Sequence, residues 1–142
     1  MEEYNISDLL GELIEKAVNI DLDHLQNSRP IQPWILTKTY GQYSVGVISG
    51  LDFESAMNEA RKKVVDQKSD IEAYLIGFNG TIPTTDGPVK GLFYEIAEKG
   101  YEMGYQYMVG YEILERDVKV LEDYNGVLKN VTNLIYQCED NT

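Results

Sequence analysis

The sequence has few of the residues that most catalytic and metal sites require. It contains one cysteine, Cys138, one histidine, His24, and no CxxC motif. A lone cysteine cannot form an internal disulfide, which favours a reducing compartment. A serine or cysteine hydrolase would need His24 as its base, and no pattern in the sequence places a nucleophile beside it. Phosphate-binding and nucleophile-elbow motifs are also missing. We predict no cofactor, and a binding protein is favoured over an enzyme.

Basic residues are scarce. There are 12 Lys and Arg against 24 Asp and Glu, which gives a formal charge of −12 and a pI near 4.4. Such a chain repels nucleic-acid backbones and anionic lipid surfaces. It has no apolar run near the roughly 20 residues that cross a bilayer, and its first five residues lack the basic or apolar character of a targeting signal. We therefore predict a cytoplasmic protein with neither nucleic acid nor membrane as a partner.

The apolar content is sufficient for one compact core. Hydrophobic residues make up 43% of the 142 residues, and a chain of this length buries roughly two-thirds of its unfolded surface. No repeat, low-complexity stretch or linker divides it. We therefore expect residues 1–142 to form a single acidic α+β domain.

The first half of the chain has clear secondary-structure signals. Apolar residues at helical spacing predict a helix over 7–19, with Ser7 or Asn5 as its N-cap. Alternating β-branched and aromatic residues predict a hairpin of strands 34–40 and 43–49. Asp52 is typical of the N-cap of a second helix. Residues 71–78 are apolar on both faces, which is typical of a central strand, and Asn79-Gly80 indicates a turn after it.

The second half favours a third helix, which begins after a cap at Thr85 or Asp86 and ends near Gly104. A strand over 105–114 follows. Residues 125–138 have helical spacing, with Cys138 on the apolar side, although a hairpin over 118–131 is the alternative. The predicted order is α-β-β-α-β-α-β-(α). The predicted fold class is α+β, with three to four helices packed on a mixed or mainly antiparallel sheet of four strands, or five if 118–121 form an edge strand.

Asp21, Asp23 and His24 form the only cluster of potential metal ligands. The cluster lacks a distant fourth ligand and matches no known spacing of a calcium or zinc site. We therefore predict a solvated acidic loop and no metal.

Tyrosine is unusually frequent, with eleven Tyr against three Phe and one Trp. Several tyrosines alternate with glutamates along the predicted third helix and would lie away from its inner stripe. Such a surface is aromatic and negative, and it suits a partner that presents Lys or Arg. The alternative is that these tyrosines lie between helix and sheet while the glutamates are only solvated. The predicted partner-binding residues are Tyr94, Glu95, Glu98, Tyr101, Glu102 and Tyr105.

The long connection over 79–88 is a second candidate site, since loops of this length often have a function. Its hydrogen-bonding side chains could line a small polar pocket for a metabolite or nucleotide. Turn and capping requirements explain the same residues locally. The predicted ligand-binding residues are Asn79, Thr81, Thr84, Thr85 and Asp86.

The negative charge is concentrated in two segments. Residues 1–28 contain seven acids and one Lys, and residues 70–115 contain eight acids and two Lys. The first hypothesis is therefore an acidic protein-interaction module that inhibits or neutralises a more basic protein, as immunity proteins and phage counter-defence inhibitors do. The alternatives are a small-molecule binding protein that uses residues 79–88, and a homo-oligomeric structural protein that pairs through a strand edge or the first helix.

Overall fold

The computed structural model describes residues 6–115 and 117–137, which form an antiparallel sheet of six strands and two helices. The order of the strands across the sheet is β2-β1-β3-β4-β5-β6, so all neighbours but one follow each other in the chain. The elements are α1 (Asp8–Gln26), β1 (Trp34–Thr39), β2 (Gln42–Val47), α2 (Phe53–Asp66), β3 (Ile71–Ile82), β4 (Val89–Glu98), β5 (Met103–Leu114) and β6 (Asp117–Thr132).

The structure confirms the elements predicted for the first half. Ser7 caps α1 by accepting a hydrogen bond from the Leu10 amide, and Asp52 caps α2 by accepting one from the Ser55 amide. β1 and β2 form the predicted hairpin. However, α1 continues to Gln26 and does not end at residue 19. The polar stretch after residue 19 remains helical because partly buried Leu22 and Leu25 pack against the core.

Each face of the sheet is covered by different elements. α1 packs on one face, and α2 packs on the other together with the segment that follows β6. The first core contains Leu10, Leu13 and Ala17 of α1 with Trp34, Leu36, Ala73, Leu75, Leu92, Tyr94, Ile96, Val109, Tyr111 and Val118. The second contains Ala56, Met57, Ala60 and Val64 of α2 with Ile35, Ile48, Ile71, Tyr74, Ile76, Ala97 and Ile135.

The predicted third helix is wrong, because its residues form β4, a turn and the start of β5. In β4, Leu92, Tyr94 and Ile96 pack in the α1 core, whereas Ala97 packs in the α2 core. A strand that is buried on both faces has apolar residues at adjacent positions as well as alternate ones. Its sequence pattern therefore resembles that of a buried helix.

The predicted turn at Asn79-Gly80 and the predicted C-terminal helix are also wrong. β3 passes through Asn79 and Gly80 to Ile82, so the reversal falls in the 83–88 connection. β6 is a 16-residue strand whose pairing with β5 is shifted at two irregularities. Each bulge interrupts the alternation of apolar and polar residues, which gives the strand a helix-like spacing. Cys138 lies outside the described residues.

The fold is therefore α+β, but the predicted four or five strands and three to four helices are corrected to six strands and two helices over the described residues. The predicted edge strand at 118–121 is part of β6. In the part of the chain that the structure describes, no helix is both long enough and apolar enough to span a membrane.

Candidate functional site

The six predicted partner-binding residues do not share a helix face, because the helix on which that prediction depended does not form. Tyr94 is fully buried beneath α1. Glu95 lies on the opposite face of the sheet, where its carboxylate forms an ion pair with Arg61 of α2 at 2.7 Å. Glu102 is exposed in the turn between β4 and β5. These three residues do not form one surface.

The structure brings the other three together at the start of α1. Glu98, Tyr101 and Tyr105 line a cavity of about 160 Å³ beside Ile6 and Met103. The Ser7 hydroxyl donates a hydrogen bond to Glu98 Oε1 at 2.6 Å, which fixes the carboxylate against the N-terminus of the helix.

A shallow groove of about 590 Å³ adjoins this cavity and shares Ile6 and Ser7 with it. Asp8, Glu12 and Glu15 line one side, because residues four and three apart fall on one side of a helix. Tyr107 of β5 lines the other side. It lies on the same face of β5 as Tyr105, since alternate strand residues share a face.

We call the combined lining of these two cavities the acidic tyrosine surface. It contains four carboxylates and no Lys or Arg. Tyr101 is 58% exposed and Met103 is also exposed, so apolar area is accessible between the charges. The surface comprises Ile6, Ser7, Asp8, Leu10, Gly11, Glu12, Ile14, Glu15, Glu98, Tyr101, Met103, Tyr105 and Tyr107.

The predicted ligand-binding residues of the 79–88 segment take part in local structure. The Tyr111 hydroxyl donates to Asn79 Oδ1 at 2.9 Å, and the Thr84 hydroxyl donates to the Gly87 carbonyl. Thr81 pairs with Lys90 within the β3–β4 ladder, while Thr85 and Asp86 are exposed. None of the five cavities that we describe for residues 6–115 and 117–137 is lined by any of the five.

Asp21 is the feature that the sequence interpretation missed. The sequence predicts a solvated loop for Asp21, but this residue lies on α1 and is only 2% exposed. The Tyr94 hydroxyl donates a hydrogen bond to Asp21 Oδ2 at 2.6 Å. A signal was present, because Leu10, Leu13, Ala17 and Asp21 continue one helical stripe. Ending the helix at residue 19 concealed that signal.

Burial governs the electrostatics of this carboxylate. Loss of solvent raises the pKa of Asp21 from 3.8 to about 6, although the Tyr94 hydrogen bond, the charge of nearby His24 and the Trp34 indole each favour the ionised form. Burial and the neighbouring Asp21 raise the pKa of Tyr94 well above 10, so Tyr94 remains a donor. His24 Nδ1 donates to the Ile20 carbonyl at 2.9 Å, which leaves Nε2 as the second ring nitrogen available for contacts.

Within the described ranges, no group of three or more His, Cys, Asp or Glu side chains is placed to hold a metal ion. Comparison with known proteins gives no match to a family, to a curated protein or to a solved structure.

Proposed function

We propose that this protein is an acidic interaction module that binds, and thereby neutralises, a more basic protein through the acidic tyrosine surface. The observation that carries the proposal is the lining of that surface, where four carboxylates and accessible Tyr and Met side chains occur without a Lys or Arg.

The side chains of this surface suit a partner that presents lysine or arginine. Tyrosine provides a large, rigid contact area with a polar tip, and methionine adapts to irregular shapes. The α1 carboxylates of this surface, Asp8, Glu12 and Glu15, are exposed, so each pair with a partner cation adds only ~0.2–1 kcal/mol. Their joint field acts mainly on the encounter rate and on the choice of partner. Affinity should therefore decrease as salt screens the field, since the Debye length is about 10 Å at 0.1 M.

The experiment begins with capture at low ionic strength, followed by calorimetry with the purified partner over a salt series. The test variant is Glu12→Lys with Glu15→Lys, which reverses two charges on α1. The matched control is Glu122→Lys with Asp123→Lys, which makes the same change in net charge on exposed residues of β6. We expect the α1 variant to lose about tenfold or more in affinity, from two lost attractions and two new repulsions.

The control variant should bind much as the unchanged protein does. Circular dichroism and a thermal melt confirm that both variants fold. Equal losses in the two variants would mean that only net charge matters, and an affinity that is independent of both salt and charge reversal would contradict the proposal. Tyr101→Ala tests the aromatic contribution, and Tyr40→Ala, which removes an exposed tyrosine in the β1–β2 turn, is its control.

A second candidate function, homo-oligomer formation, is favoured by the edge strand β2. Its six residues carry no charge and no proline, and Val45 and Val47 are exposed. Unprotected edges of this kind pair readily with another strand. Light scattering decides between the candidates: a dimer that Val45→Lys dissociates would support strand pairing, and a monomer at all concentrations would exclude it.

A further inference from the structure

A separate cavity of about 320 Å³ lies between the C-terminal half of α1 and strands β1 and β2. It shares no residue with the acidic tyrosine surface. Its volume is near the lower end of the roughly 300–1,000 Å³ of small-molecule sites. We call it the Asp21 pocket. The lining residues that matter here are Asp21, His24, Arg29, Trp34, Val45 and Val47.

Two buried polar groups meet at this pocket. Asp21 is 2% exposed, and Trp34 is 4% exposed. Trp34 Nε1 has no hydrogen-bond partner among the described residues. The indole lies near enough to Asp21 to favour its ionised form, but the geometry falls short of a hydrogen bond. An unpaired buried donor and a buried carboxylate are both costly to the folded state.

The remaining walls are largely apolar and the mouth of the pocket is open. Val47 of the edge strand β2 is 61% exposed, and Val45 is exposed on the same face of the strand. Ile20 and Ile31 line the pocket further along. An apolar pocket with a few convergent polar groups is the usual construction of a small-molecule site.

We propose that the Asp21 pocket binds a small organic amine, whose ammonium group pairs with the Asp21 carboxylate while its apolar body contacts Trp34, Val45 and Val47. A bound cation would pair with the charge of this buried carboxylate, while the Tyr94 hydroxyl holds Oδ2 in place. Arg29 is exposed at the rim, where solvent screens its repulsion of the cation. A carboxylate on the same ligand could pair with Arg29.

The probes are four molecules with one phenyl body: phenethylamine, 2-phenylethanol, phenylalanine and 3-phenylpropionate. Trp34 is the only tryptophan in the chain, so its fluorescence reports events at the pocket directly. A thermal-shift series provides a second readout by mass action. We expect phenethylamine to bind at least about tenfold more tightly than 2-phenylethanol, which lacks the charge. 3-Phenylpropionate should bind more weakly than either.

The variants separate the pocket from general electrostatics. Asp21→Asn keeps the shape of the side chain and should reduce the affinity for phenethylamine about tenfold or more. Asp23→Asn removes the same charge from an exposed position on the same helix and should leave the affinity unchanged. If phenylalanine binds more tightly than phenethylamine, Arg29→Gln should abolish that difference. Such a result would support the amine site and add the contact with Arg29.

The pH dependence is a further check. The pKa of Asp21 is about 6, so the affinity for phenethylamine should decrease as the pH falls through that value and the carboxyl becomes protonated. The groups that face Asp21 are His24 on α1, Arg29 after it, Trp34 on β1 and Tyr94 on β4. His24→Gln removes the neighbouring imidazole, so a decrease in affinity that persists in this variant is assigned to Asp21.

Three results would overturn the proposal. The first is an affinity for 2-phenylethanol equal to that for phenethylamine, and the second is an unchanged affinity in Asp21→Asn. The third is tightest binding of 3-phenylpropionate, which would make Arg29 the anchor. None of these results bears on the basic protein partner, because the two sites use different residues.

Discussion

At Asp21, ionisation of the side chain reduces the stability of the fold while providing the charge that an amine ligand would need. Asp21 is the next position of a buried helix stripe whose earlier positions hold the apolar side chains of Leu10, Leu13 and Ala17. Its folded-state pKa of about 6 lies about two units above the ordinary 3.8, and each unit corresponds to about 1.4 kcal/mol. Ionisable groups that lie in a cavity and have strongly shifted pKa values are candidates for a functional role.

The first prediction concerns how stability depends on pH. Below about pH 4, Asp21 is protonated in both the folded and the unfolded state, so its ionisation does not change the free energy of unfolding. Between about pH 4 and 6 only the folded state keeps the proton, so stability falls as the pH rises. Above about pH 6 the full penalty, on the order of 3 kcal/mol, applies. Urea unfolding of the unchanged protein and of Asp21→Asn should therefore show that the variant gains in relative stability by about that amount from pH 4 to pH 7.

The reference for this comparison is Asp23→Asn, whose carboxylate is exposed on the same helix. Its stability relative to the unchanged protein should vary far less over the same range. Parallel pH curves for Asp21→Asn and the unchanged protein would show that the carboxyl is not buried as described.

The second prediction concerns the close approach of Trp34 to β3. A Cβ atom at Gly77 would lie 2.6 Å from Trp34 Nε1, so Gly77→Ala must displace the indole. We expect a loss of about 1–3 kcal/mol in unfolding free energy, as for other overpacked cores. A shift in the tryptophan emission should accompany the loss. Gly46→Ala on β2 is the control, since a Cβ there meets nothing within 4 Å. Equal stability of the two variants would contradict this account.

At the scale of elements, local sequence patterns were sufficient to predict secondary structure where only one face of an element is buried. α2 shows this clearly: its inner stripe contains Ala56, Met57, Ala60 and Val64, and Asp52 marks its start. β4 lies between two covered faces, so its sequence has no alternation to reveal a strand. β6 loses its alternation at bulges that only pairing with β5 defines.

The candidate site depended on the same elements. Glu98, Tyr101 and Tyr105 were predicted from the spacing of tyrosines and glutamates on a helix that does not form. Their neighbours on α1 were not predicted, because contact between residues about 90 positions apart depends on the topology of the sheet. Asp21 was missed through one misplaced helix end. Three of the predicted residues line this surface, but the strand order and not the predicted helix determines which residues lie together.

The third prediction concerns how α2 is held on the sheet. Arg61 donates two hydrogen bonds to Glu95 of β4, from Nε at 3.2 Å and from Nη2 at 2.7 Å, and the Glu95 side chain is only 12% exposed. Arg61→Gln leaves that carboxylate without its cation and should cost about 1–2 kcal/mol, since the 40% exposure of Arg61 screens part of the effect.

Lys62→Gln is the matched control, because its ion pair with Asp66 is exposed on both sides. Its cost should be at most about 0.5 kcal/mol. Adding Glu95→Gln to Arg61→Gln removes the unpaired charge and should recover part of the loss. Chemical denaturation measures all three variants, and equal costs for Arg61→Gln and Lys62→Gln would show that the pair does not anchor α2.

For the whole molecule, the charge of −12 has two opposite consequences. Like charges repel within the folded chain, which lowers stability, while under the proposed function the same field attracts a basic partner from solution. Both consequences concern α1, because Asp8, Glu12 and Glu15 line the groove of the acidic tyrosine surface at helical spacing. Like charges three and four residues apart on a helix cost ~0.2–0.5 kcal/mol per pair.

The fourth prediction is that salt changes stability and partner affinity in opposite directions. Raising NaCl from about 0.02 to 0.2 M shortens the Debye length from about 20 Å to about 7 Å. The midpoint of thermal unfolding should therefore rise, because internal repulsion is screened, while the affinity for the basic partner falls over the same series. Glu15→Gln should raise the low-salt stability by a few tenths of a kcal/mol and reduce the salt effect on both quantities. A midpoint that falls with salt would mean that ion pairs such as Arg61–Glu95 outweigh the repulsion. The acidic residues would then stabilise the fold through those pairs, and the net charge would no longer support a basic partner.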